Sequence, residues 1–331
     1  MIDIKTLEYD VELITENGVC YLLNDALIRL QWEEQISELA QRATLTVANF
    51  RIDDAYLMSL AKINCVIFIH GRWNGGSKTL LFEGTIWEWE YVSGTQKELT
   101  LTAYDRLIRL QQSKDFRYYS AGMTTQAILG DICSDWAIPL AYNWSRSIAH
   151  EKKVFNADRI SNIIISLLEE VRQKTGHKYV AHFRDGKLQI AGQGINTDVY
   201  RFDIENTVST GDKLTINNLV TRVKVIGKQD DDGRAPVEAI VEGDTRYGIL
   251  QEIVRHYGDK TLDAVKSEAR ALIDELGKPQ ETIQAKVPDL PFIRKGHAVE
   301  FCAGNLIGLF YVAGVTHMAT DRQMTLVLTR G

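Results

Sequence analysis

The sequence predicts a mainly β protein with an α+β insert: two similar β-barrel domains flank a small α/β domain. Three observations predict it. Apolar residues alternate through the opening and closing thirds of the 331-residue chain, the pattern of strands with one buried face. Helical spacing is concentrated between them. The pattern that closes the first β block then recurs near the C-terminus. The expected domains are residues 1–110, 111–197 and 198–331, the last interrupted by a helix-containing insertion at about 244–281.

Within the first block, YDVELITENGVCYLL places Asn17-Gly18 between two apolar runs, a two-residue hairpin signal whose central positions both call for positive φ. ATLTVANF continues the alternation at Ala43, Leu45 and Val47, and NCVIFIHGRWNGGSKTLLFEG is strand, Gly-rich turn and strand. LLFEGTIWEWEYVSGTQKELTLTA adds a hairpin, and AYDRLIRLQQ (Ala103 to Gln112) switches to helical spacing. Six strand candidates with short turns suit a small barrel or sandwich.

The middle segment differs in kind. TTQAILGDICSDWAIP sets Ile128, Leu129 and Ile132 on one helical face, with Pro139 ending the helix. In DRISNIIISLLEEVRQKTGHKY, Ile160, Ile163, Ile164, Leu167, Leu168 and Val171 share a face, and Gly176 stands at the C-terminal cap. KYVAHFRDGKLQIAG is a hairpin turned by Asp185-Gly186. From Asp198 onward the β pattern returns, broken by one helix whose face carries Leu262, Val265, Ala269, Leu272, Ile273 and Leu276, with Gly277 and Pro279 after it.

The two β blocks align beyond their final hairpins. LAKINCVIFIHGR matches IRKGHAVEFCAGN, pairing Lys62 with Lys295, Val66 with Val299 and Phe68 with Phe301, while Thr100 pairs with Thr325 in the last strand. The offset falls from 233 to 225 residues between the first and last of these pairs, as a duplication with a shortened WNGGSKT turn would produce. A homotrimer carrying two such domains per subunit presents six similar units about its axis, which lets a threefold object dock on a sixfold one.

Composition narrows the function classes. Hydrophobic residues make up 45% and charged residues 25%, with five prolines and a net charge of −6; this lacks the basic footprint of a nucleic-acid binder. No membrane span, basic leader or CxxC pair is present, and Cys20, Cys65, Cys133 and Cys302 are expected to be buried, reduced thiols. GRWNGGSKT separates Gly76 from Lys78 by Ser77 and precedes a strand, so it is a hairpin turn and not a phosphate loop. His177 and His182 fall on opposite faces of a strand, and the consecutive Asp230, Asp231 and Asp232 form an acidic tip instead of an alternating calcium loop. Ser59 and Lys62 fit SxxK without its companion motifs. Glu88 and Glu90 alternate with Trp87 and Trp89, giving one acidic and one aromatic face, and His317 is a strand residue beside a turn. No catalytic, cofactor-binding or metal-ligating residue is assigned, and the protein is expected not to be an enzyme. Alanine at Ser59, Lys78, Glu169 or His317 is expected to abolish no turnover. The alternative is a peptidoglycan hydrolase using Glu169, Glu170 or Asp135; a third reading, a carbohydrate-binding module, has only Trp73 beside Gly75 and Gly76.

LTAYDRLIRLQQSKD, ISNIIISLLEEVRQKTGHKYVAHFRDGKLQI, INNLVTRVKVIGK, GDTRYGILQEIV and the closing IRKGHAVEF and LFYVAGVTHMATDRQMTLVL together resemble the baseplate hub proteins of contractile phage tails and tailocins. The resemblance is to the XkdQ-like group related to the late control protein D and to the hub part of the VgrG spike proteins, and it spans essentially the whole chain. It implies a homotrimer whose two tube domains per subunit form a pseudo-hexameric ring between the sixfold tail tube and a threefold spike. It further implies three partners, a tail tube protein, a central spike protein and a LysM-bearing baseplate protein, with DNA at most in passage through the lumen. Synthesis in the bacterial cytoplasm and assembly into the baseplate of a phage, defective prophage or bacteriocin follow from the same likeness. Because Gly331 comes directly after the second β block, the spike and any wall-degrading activity are expected on other polypeptides.

Overall fold

In a computed structural model, residues 6–52, 54–94, 97–256 and 261–330 are described. The fold is mainly β. The chain divides into a larger unit, Met1–Thr210 with Gln284–Gly331, and a smaller one, Gly211–Ile283.

Thirteen strands join one sheet. Its first part carries, as neighbours in this order, Leu27–Gln35, Arg42–Ala48, Glu98–Tyr104, Thr79–Val92, Val66–Arg72 and Glu8–Ile14. Alternation sets the inward face: Ala43, Leu45 and Val47 on one strand and Leu99, Leu101 and Ala103 on the next are fully buried. The Asn17-Gly18 turn differs from expectation. Only Gly18 adopts positive φ (+77°), its N–H donating to the Thr15 carbonyl while Thr15 N–H donates to Val19 O, so the loop is longer than two residues. Strand Glu98–Tyr104 also runs into the stretch expected to be helical. The helix is confined to Ile108–Gln112, because the Asp105 carboxylate ends the strand by accepting the Leu107 N–H at 2.8 Å.

The C-terminal strands repeat the order of neighbours. Arg42–Ala48, Glu98–Tyr104, Thr79–Val92 and Val66–Arg72 correspond to Gln280–Pro288, Gln323–Arg330, Leu306–Met318 and Ala298–Ala303. Thr85 pairs with Val66 on one side and Tyr104 on the other; Tyr311 pairs with Ala298 and Thr329 in the same way. The turn between the first two strands spans Trp73–Lys78 in one copy and only Gly304 and Asn305 in the other. The likeness stops at the next strand, which is antiparallel for Glu8–Ile14 and parallel for Tyr200–Asp203. The two blocks share one sheet: Gly314–Met318 pairs with Gln31–Gln35. Strand Leu27–Gln35, absent from the six expected, makes that junction.

The middle segment packs helices Thr125–Asp135 and Ile160–Thr175 with a three-stranded sheet, Leu140–Tyr142, Lys187–Gly192 and Tyr179–Arg184. The expected faces are the buried ones: Ile128, Leu129 and Ile132 on one helix, Ile160 through Val171 on the other. Gly176 caps the second helix at φ +73°, and Asp185 and Gly186 both take positive φ between paired Arg184 and Lys187, the type I′ geometry that hairpin chemistry favours. In the smaller unit, strand Arg222–Ile226 lies between Val237–Glu242 and Gln251–Arg255. Helix Leu262–Leu276 covers one face through Val265 and Ala269 on Val223 and Val225. This unit begins earlier than the 244–281 insertion because Arg222–Ile226 pairs within it and not with the second β block.

Candidate functional site

The loop after Pro288 carries Asp289, Arg294, Lys295 and His297, an unusual density of polar groups for a segment whose surroundings are apolar. Arg294 donates from Nε to Glu34 Oε1 at 2.8 Å, from Nη2 to the same oxygen, and from Nη2 to the Phe183 carbonyl at 3.2 Å. Lys295 N–H donates to Glu34 Oε2 at 3.1 Å, and its ammonium to the carbonyls of Gln35, Glu38 and Leu39 at 3.2, 2.6 and 3.4 Å. Two consecutive residues thus tie strand Leu27–Gln35 to the hairpin at Phe183. Burial alone would raise the Glu34 carboxyl, but Arg294 and Lys295 bring it down to about 2. Burial lowers the Lys295 ammonium, with Glu34 and Asp105 opposing.

A second buried cluster lies nearby. His317 Nδ1 is 2.6 Å from Asp289 Oδ1 and Nε2 is 3.0 Å from Ile293 O; its ring stacks on Trp32 at 4.6 Å and 14°. Tyr9 donates its hydroxyl to Asp289 Oδ2. An Asp–His dyad can serve as a general base only if the far nitrogen is open to accept a proton. Here a carbonyl oxygen, which can only accept, occupies that position. His317 is, as expected, a strand residue beside a turn, and it is buried in a structural network.

A third arrangement has the order of a catalytic triad. Thr125 Oγ1 is 2.8 Å from His150 Nε2, and His150 Nδ1 is 2.9 Å from Glu170 Oε2. Thr125 is 0% and His150 2% exposed, and the threonine oxygen also accepts the Ile148 N–H at 3.3 Å. The chain pins the Ile148–His150 segment to the two helices, in a place closed to substrate. The Glu170 side chain is only 18% exposed. Burial raises its carboxyl, and Lys153, Lys174 and His150 outweigh that and hold it at about 2, which leaves no proton to donate at neutral pH.

The other sequence candidates are scattered. Asp135 accepts from Arg117 Nη2 at 2.6 Å and Glu169 pairs with Arg172. The Ser59 hydroxyl donates to Tyr56 O at 2.7 Å, and Lys78 pairs with Asp10 at 2.6 Å. Trp73 packs against Phe292 with centroids 5.6 Å apart, so it is no open platform. Trp87 and Trp89 do not share a face: a bulge between Ile86 and Glu88 turns Trp87 outward while Trp89 packs on the core. His177 precedes strand Tyr179–Arg184 and is exposed, whereas His182 lies on it. Cys65 and Cys133 are buried as expected, but Cys20 and Cys302 sit on outward strand positions and are exposed. Among the described residues no group of three or more His, Cys, Asp or Glu could hold a metal, and no helix is long and apolar enough to cross a membrane. The Glu34–Arg294–Lys295 seam was missed by sequence reasoning; its only sequence signal was a charged residue interrupting the apolar face of LIRLQWEEQ.

Solved structures share this architecture. The 43 kDa tail protein of prophage MuSo2 from Shewanella oneidensis superposes with a TM-score of 0.68 at 11% identity, covering 98% of both chains. The tail protein from Neisseria meningitidis MC58 gives 0.67 at 14% identity, over 97% of this chain and 96% of the other. The E. coli c3393 protein, a type VI secretion component similar to the T4 tail proteins gp27 and gp5, gives 0.53 at 11% identity over 92% and 74%. The fold is that of phage tail and VgrG-related proteins. The chain belongs to the YQBQ-like family, whose model matches residues 30–329. Protein YqbQ of Bacillus subtilis (strain 168) is 24% identical over 240 residues, 70% of each chain.

Proposed function

We propose that this chain is a structural baseplate hub of a contractile injection particle, a homotrimer that adapts a sixfold tail tube to a threefold spike. The observation that carries the reading is the four-strand order found twice in one chain, within a fold shared with tail proteins. Three copies of a twofold repeat supply six similar edges to a tube ring and three to a spike. The partners are a tail tube protein, a central spike protein and a LysM-bearing baseplate protein at the periphery. DNA, where the particle carries it, only passes through a lumen whose acidic chains offer no grip to phosphates. Synthesis takes place in the bacterial cytoplasm and the product is a particle component.

The non-enzymatic reading is supported by the engagement of Asp135, Glu169 and Glu170 in ion pairs and by the carbonyl on His317 Nε2. Stoichiometry within the assembled baseplate is the test. Three copies per particle are expected; six or one would overturn the hub assignment. A cell-wall zymogram is expected to give no clearing band, and a band abolished by Glu170→Gln would establish the peptidoglycan-hydrolase alternative.

A further inference from the structure

A cavity of about 400 Å³ opens between the hairpin at Val180–Gln189, the segment Ile195–Tyr200 and the loop Phe292–His297. Nothing in the hub reading uses it. Gly296 lines its wall and accepts the Gly194 N–H on its carbonyl at 2.7 Å, and both glycines have positive φ, +85° and +76°. A Cβ on Gly296 would lie 2.8 Å from Val180, and one on Gly194 2.6 Å from the Tyr311 ring, so the backbone approaches here as no other residue allows.

Val180, Ile195, Tyr200 and Phe292 give the space an apolar wall, and five of its lining residues are cationic or imidazole. Arg184, Arg294, Lys295, His182 and His297 face a single acid, Asp198. The Lys295 ammonium is held on three carbonyls and Arg294 shares its charge with Glu34. Among the described residues, Arg184 has one distant ion pair, 3.9 Å from Asp185, on a side chain 58% exposed. Among the described residues, the buried His182 Nδ1 has no hydrogen-bond partner, which is rare in native structures. Burial and the nearby Arg294 lower both imidazoles, His182 to about 3 and His297 to about 4, so both are neutral at pH 7. Two neutral imidazoles would suit a divalent cation, but the guanidinium groups beside them oppose one, and among the described residues no third ligand forms a metal-binding group with them.

We propose that this cavity is an oxyanion site, taking one phosphate or carboxylate group on Arg184 and Arg294 beside the His182 ring. Guanidinium contact is the usual means of holding such a group. The site stands independently of the hub assignment, since it lies within one subunit. Calorimetric titration of the full chain at pH 7.5 in Tris chloride, at constant ionic strength, with inorganic phosphate and separately with acetate, tests it. Saturable one-to-one binding of either is expected, the two arms distinguishing the phosphate source from the carboxylate. Arg184→Gln, an exposed substitution expected to leave thermal unfolding unchanged, should weaken that binding by about tenfold or more, the effect of losing a charge-assisted pair. The His182 ring resonances should move on saturation in the wild type. No saturable binding of either anion, or equal affinity in Arg184→Gln, would overturn the proposal.

Discussion

Glu34 is a carboxylate 2% exposed on the inward face of a strand, tolerated because Arg294 and the Lys295 amide complete its lone pairs. Its carboxyl is at about 2 in the folded chain against an ordinary 4.5. A depressed acid contributes stability that is complete above the unfolded value and is lost as protons return. The wild type is therefore expected to lose stability as pH falls from 4.5 towards 2, and Glu34→Gln to flatten that slope in urea unfolding. At pH 7 the same variant should be less stable by about 3–5 kcal/mol, because one partner of a buried ion pair is removed and the cations remain. Equal unfolding midpoints for variant and wild type would show that the seam adds nothing. None of this was legible in the sequence, since Glu34 and Arg294 stand 260 positions apart and a charged residue in isolation carries no sign of its partner.

Elements with local periodicity were legible. Helix Ile160–Thr175 shows its buried stripe and its capping glycine in the sequence, because both depend on residues within a few turns of each other. Leu167, 1% exposed, is expected to cost about 2–5 kcal/mol as Leu167→Ala, whereas Glu169→Ala on the same helix, with a side chain 32% exposed, should change stability by no more than about 0.5 kcal/mol. Denaturant titration of the two variants compares them directly. Strand Leu27–Gln35 was not legible, for a reason its residues explain. Leu30 and Trp32 alternate inward, but the next inward position is Glu34, and a register shift between Leu27 and Arg29 breaks the period at the other end. The bulge between Ile86 and Glu88 likewise separates Trp87 and Trp89, which simple alternation places on one face.

For the whole molecule, the repeat could be found from sequence because two copies can be compared, while the junction between them could not, because pairing between blocks leaves no periodic trace. The smaller unit, Gly211–Ile283, has its own sheet, helix and apolar core. Replacing it by a short Gly/Ser loop is expected to leave the larger unit folded, with far-ultraviolet dichroism of a β protein and a single cooperative melt. Loss of the melt would show that the larger unit depends on it. The junction strand has a mechanical consequence. Leu306–Met318 and Leu27–Gln35 run antiparallel over the register Gly314↔Gln35 to Met318↔Gln31. A pull directed along these strands loads all the rungs of that ladder together, whereas a pull across them opens the rungs one at a time. The two halves of the chain are therefore coupled stiffly along the strand axis and weakly at right angles to it, an anisotropy suited to a part that must stay whole when force passes lengthwise through it.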